Sequence, residues 1–107
     1  MSSSFNDREK NFENKFAHDA ELQFKVEARR NRLLGEWAGE LLGKTGDDLK
    51  AYATEVVKSD FEEAGDEDVF RKVSGDLGSK ASESEIRAKM AALKETAKTQ
   101  VMTEIED

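Results

Sequence analysis

The chain has 107 residues, 36% of them hydrophobic and 38% charged, with a formal net charge of −7 at pH 7. That length supports one domain with a modest core and excludes two cores joined by a linker, while the lean, charged composition implies that part of the chain is not buried. The chain contains no cysteine, which excludes disulfides, thiolate chemistry and the strongest class of zinc site and points to a reducing, cytoplasmic compartment.

With no proline anywhere, helices can run uninterrupted, and glycine and capping residues must supply the punctuation. The N-terminal stretch Met1 to Arg8 has neither the basic region nor the apolar run of a signal peptide, and the longest apolar runs are pairs such as Leu33-Leu34. Neither secretion nor membrane insertion is expected.

The first periodic pattern spans Phe5 to Leu42. Phe5, Phe12 and Phe16 are spaced by 7 and 4, and Val26, Leu33, Trp37 and Leu41 by 7, 4 and 4, each set fitting one helical face. Leu34, Ala38 and Leu42 widen the stripe only in the second half. Residues 1–21 therefore read as a polar amphipathic arm, projecting and flexible when free, and residues 22–107 as the helical domain.

Gly43 falls where the pattern stops, and Thr45-Gly46-Asp47-Asp48 offers a cap with a carboxylate three positions on. A second helix follows, with Leu49, Ala53, Val56, Val57 and Phe61 on its apolar face, until Gly65. Asp66 can cap a third carrying Val69, Phe70, Val73 and Leu77, which Gly78 closes. Ser82-Glu83-Ser84-Glu85 is a capping box for a last helix with Ile86, Met90, Leu93, Ala97, Val101 and Ile105 on one face. The expected fold is all-α: a small four-helix bundle-like domain with an N-terminal arm.

Charge is unevenly placed. Residues 45–85 carry a net −7, while residues 25–44 carry +2. A phosphate-binding face needs concentrated basic charge, so nucleic acid is not an expected partner.

Several motifs imitate chemistry. Gly39 to Thr45 follows most of the phosphate-loop pattern and ends Gly43-Lys44-Thr45, but the required first glycine is Ala38. It also lies at a helix C-terminus, whose carbonyls repel anions, rather than between a strand and a helix. The acidic run Asp60 to Asp68 puts Gly65 in the sixth place of a calcium loop, yet Ala64 holds the fifth place and Arg71 the twelfth. His18 is the only histidine and has Asn14 one turn before it, so catalytic pairs and a histidine-based metal site are not expected. No catalytic residue, metal or cofactor is expected, and the chain is not read as an enzyme. Arg29, Arg30 and Arg32 form a basic cluster that either pairs with Glu27 and Glu36 along a solvated helix or docks on an acidic partner surface.

What remains is the arm. Three phenylalanines on a thin-striped charged helix are too few to stabilise it alone, because isolated helices of this length are marginal in water. They either fold back onto the bundle or enter a partner's groove.

Three blocks carry a resemblance: Phe12-Glu13-Asn14-Lys15-Phe16-Ala17-His18-Asp19, Ala28 to Ala38 (Ala-Arg-Arg-Asn-Arg-Leu-Leu-Gly-Glu-Trp-Ala), and Asp60 to Val73. In this order they resemble the zeta subunit family of alphaproteobacterial F-type ATP synthases, departing from its frequent residues at Asn14 and Arg32. The resemblance implies a four-helix inhibitor of ATP hydrolysis. Its N-terminal segment would insert as a helix between an alpha and a catalytic beta subunit, near the central stalk, and wedge against rotation. The gamma subunit would be a further candidate partner. On that resemblance the partner-binding residues are Phe5, Arg8, Glu9, Phe12, Lys15, Phe16, Ala17, His18 and Asp19, with Arg29, Arg30 and Arg32 as docking candidates. The protein would be cytoplasmic, and peripheral at the inner membrane when bound to the synthase. Two other readings stand beside this one: a regulatory protein that binds ATP or ADP weakly without hydrolysis, and a helical module that only dimerises.

Overall fold

The computed structural model describes residues 3–60 and 65–106, and all side chains in those spans except those of residues 3–6, 8 and 106. The described residues form α1 (Ser3–His18), α2 (Ala20–Leu41), α3 (Gly46–Ser59), α4 (Glu67–Leu77), a 3-10 turn at Gly78–Lys80, and α5 (Glu83–Glu106), with no strand among them. The all-α expectation is met, and α2 to α5 are its four domain helices.

The long pattern from Phe5 to Leu42 is two helices, not one. Asp19 leaves helical geometry (φ −115°, ψ 103°), and its Oδ1 accepts from Leu22 N at 3.1 Å, satisfying a free donor at the start of α2. The break falls just ahead of the expected arm boundary at residue 21. Apolar spacing runs through it undisturbed, because a capped kink of one residue need not change the buried face.

The other boundaries follow local chemistry. After α2, Gly43 adopts φ 81°, Gly43 N donates to Glu40 O at 3.0 Å and Lys44 N to Gly39 O at 2.9 Å. This double closure satisfies the last carbonyls and requires a left-handed residue that glycine supplies without strain. At α5 the capping box forms in both directions: Glu85 N donates to Ser82 Oγ at 3.1 Å and Ser82 N to Glu85 Oε1 at 3.0 Å. Thr45 and Asp66 occupy N-cap positions, but neither side chain makes the cap bond; the Asp66 carboxylate is drawn to Arg30 instead.

Two apolar clusters result. The larger joins Leu34 and Ala38 of α2, Tyr52 and Val56 of α3, Val69, Phe70, Val73 and Leu77 of α4, and Ile86 and Met90 of α5. Phe61, expected on the α3 face, lies outside the described residues. Gly35 and Gly39, one turn apart, let α2 approach α3 closely. A Cβ at Gly35 would stand 2.7 Å from Ala53 Cα, and one at Gly39 2.5 Å from Leu49 Cδ1. The smaller cluster joins Phe12 of α1, Leu22 and Val26 of α2, and Ala97, Val101 and Met102 of α5, with Phe16 and Leu33 packed against it.

Candidate partner-binding site

Helix α1 places Phe12 and Phe16 on one face, as their spacing of four requires. That face turns inward. Phe12 is 4% exposed in the cleft between α2 and α5, and the Phe16 ring stacks on it at 6.2 Å between centroids, with an interplanar angle of 21°. Lys98 of α5 closes the edge, its Nζ 4.8 Å from the Phe16 ring centre and 3.6 Å from Glu13 Oε1. Beside Phe12 lies a shallow cleft of about 170 Å³, lined by Glu9, Phe12, Glu13, Lys98, Thr99 and Met102, among others.

Glu9, Lys15, Ala17, His18 and Asp19 are exposed. The side chains of Phe5 and Arg8 lie outside the described residues, although both positions fall within α1. Among the described site residues, then, Phe12 is buried and Phe16 half-buried, and the others are exposed. Across the joint, Gln23 Nε2 donates to Phe16 O at 2.7 Å, tying the end of α1 to the first turn of α2.

The three arginines of α2 do not share a face. Arg29 donates to Gln100 Oε1 and Glu104 Oε1 of α5, each at 2.9 Å. Arg30 is 2% exposed; it donates to Asn31 Oδ1, and its Nη2 pairs with Asp66 Oδ1 at 2.9 Å. Arg32 is exposed and lies 3.9 Å from Glu36, one of the pairings its helical spacing suggested. A buried guanidinium needs bonded partners to offset its desolvation. Arg30 thus fastens Asp66, at the start of α4, to α2.

Asp60, at the end of α3, and Asp66, at the start of α4, are two carboxyls of opposite behaviour. Burial pushes the Asp60 carboxyl above its ordinary 3.8, with the Asp66 and Asp68 charges adding to the rise and Asn31 and Arg30 opposing it. Asp66 is held below 3.8, chiefly by its hydrogen bond from Arg30. Sequence reasoning missed the Arg30 anchor, since nothing in local spacing distinguishes it from its exposed neighbours.

The Gly43-Lys44-Thr45 segment presents no phosphate cradle: the Gly43 and Lys44 N–H groups are both consumed by α2 carbonyls. The Lys44 ammonium rests 5.7 Å from the Tyr52 ring centre, where Lys72 also lies at 5.3 Å. The Tyr52 hydroxyl donates to Asp76 Oδ2 at 2.9 Å, and burial, with that acidic partner, raises its pKa far above the ordinary tyrosine value.

These features define a small all-helical domain with an aromatic-faced N-terminal helix joined to it at a single capped residue. The family model for ATPase inhibitor subunit zeta matches residues 1–100. The chain belongs to the ATPase inhibitor subunit zeta family. A protein solved by solution NMR is similar to it, with 61% sequence identity and a TM-score of 0.73 over 78% of this chain and 98% of that one. No curated protein matches the chain.

Proposed function

We propose that this protein inhibits ATP hydrolysis by an F-type ATP synthase without catalysing a reaction itself. In this reading α1 inserts as a helix at an alpha/beta catalytic interface, with the gamma subunit within reach, and blocks rotation. Residues 1–21 form the inhibitory arm and residues 22–107 the body that docks it. The protein acts in the cytoplasm, at the inner membrane surface when bound to the synthase; among the described residues no helix is long and apolar enough to cross a membrane.

Family membership supports the reading. The observation that carries the arm's role is its separability: among the described side chains of α1 none enters the larger cluster, while Phe12 belongs to the smaller one and Phe16 packs against it. A helix attached in this way can leave while the body keeps its main core. Within α1 the two phenylalanines are the large apolar side chains among those described, and aromatic side chains in a desolvated pocket dominate interface energetics.

The test is ATP hydrolysis by a purified alphaproteobacterial catalytic head, titrated with the full chain and with a variant lacking residues 1–19. The full chain should inhibit. The shortened variant should stay folded and lose inhibition; full inhibition by it would refute the role of the arm.

A further inference from the structure

We infer that the cleft between α2 and α5 is an internal competitor for the inhibitory helix, holding α1 in a stored state from which Phe12 and Phe16 must be withdrawn before they can engage a partner. The inference rests on the proposed function. An aromatic face can occupy one groove at a time, and here Phe12 is 4% exposed and Phe16 lies between Phe12 and the Lys98 ammonium. The exposed side of α1 offers Lys10, Lys15 and His18 instead, none of which supplies an apolar anchor.

The joint suits release. Asp19 is the one residue between α1 and α2 outside helical assignment, with an extended backbone that any residue can adopt. Its cap bond to Leu22 belongs to α2, so α1 can swing away without unravelling the helix that follows. The Gln23–Phe16 bond and the Glu13–Lys98 pair would break on release, and Glu13 is already largely solvated. Apparent affinity for the partner then falls in proportion to the fraction of molecules with α1 free. A latch closed nine times in ten weakens inhibition roughly tenfold.

Two variants of the full chain test this. Because the chain has no cysteine of its own, Glu13→Cys with Lys98→Cys can be bridged by a short bis-maleimide, and the same variant capped with N-ethylmaleimide is its control. The capped form is the reference that absorbs any effect of the two changes themselves, and the bridged form should inhibit at least about tenfold less than it. Met102→Ala, which opens the cleft without touching α1, should lower the half-inhibitory concentration by about 3-fold to 10-fold. A gain in potency is an effect that mere structural damage does not produce. Equal inhibition by bridged and capped forms, or no gain in Met102→Ala, overturns the latch and leaves the inhibitor reading standing. If neither the capped nor the native chain inhibits, the inhibitor reading falls and the latch with it.

Discussion

Replacing Phe12 with alanine separates a helix that is stored on the body from one that is part of its core. A fully buried phenylalanine truncated to alanine typically costs about 3 to 5 kcal/mol. Phe12 can forfeit that much only if α1 stays docked around the cavity, and α1 has another option, since it can detach at Asp19. Its docking rests on burial of Phe12, worth about 3 kcal/mol, partial cover of Phe16, worth about 1 kcal/mol, and the Lys98–ring contact, about 0.5 to 1 kcal/mol. The Glu13–Lys98 pair, with Glu13 56% exposed, adds almost nothing. Against this stands the ordering of a helix that is marginal alone, roughly 2 to 3 kcal/mol, leaving about 1.5 to 3 kcal/mol of net docking. Phe12→Ala should therefore lower global stability by no more than about 3 kcal/mol, a fall in Tm of at most about 24 °C. Phe70→Ala, in the larger cluster under the Arg87 guanidinium, should lose the full 3 to 5 kcal/mol or so. Urea melts give both values, and hydrogen exchange should show α1 amides losing protection in Phe12→Ala while α2 to α5 keep theirs. Equal destabilisation by the two variants would show that α1 belongs to one cooperative unit with the body and would refute this reasoning.

Other outcomes follow from the same geometry. Gly35→Ala places a Cβ 2.7 Å from Ala53 Cα and should destabilise the domain by about 1 to 3 kcal/mol; Gly75→Ala, helical and facing open space, should stabilise it by roughly 0.5 to 1 kcal/mol, both read from denaturant midpoints. Phe16→Ala should weaken binding to the purified catalytic head by about 30-fold, the equivalent of about 2 kcal/mol at an interface anchor, measured by titration of ATP hydrolysis; an unchanged half-inhibitory concentration would refute the anchor role. Asp60→Asn should be more stable than the native chain at pH 7, because the raised carboxyl pKa means that ionisation is disfavoured in the fold, a penalty relieved as pH falls through that pKa toward 3.8. Asp66 has the opposite sign: its contribution is present above 3.8 and lost as pH falls through its lowered pKa. Melts across that range should show the Asp60→Asn advantage shrinking on acidification, and an advantage independent of pH would sink the assignment.

What the sequence determined by itself was local. Helical spacing selected Val69, Phe70, Val73 and Leu77, and Ile86, Met90, Ala97 and Val101, all of which are buried, because a 3.6-residue period fixes a face whatever it packs on; of the same α5 face Leu93 is half-buried and Ile105, in the last turn, is exposed. The Ser82–Glu85 box and the Gly43 closure were equally legible, since both are satisfied within a few residues. The three blocks that carried the family resemblance also lie in the linear order of the chain. Tertiary structure alone decided which arginine is buried, because Arg30 becomes an anchor only when Asp66, 36 residues away, is brought to it. It decided that Gly35 and Gly39 are contact points, which requires α3 to lie across α2. It also placed Phe12 and Phe16 within the chain itself: an apolar stripe specifies that it must be covered but not by what, and here the cover is the α2/α5 cleft.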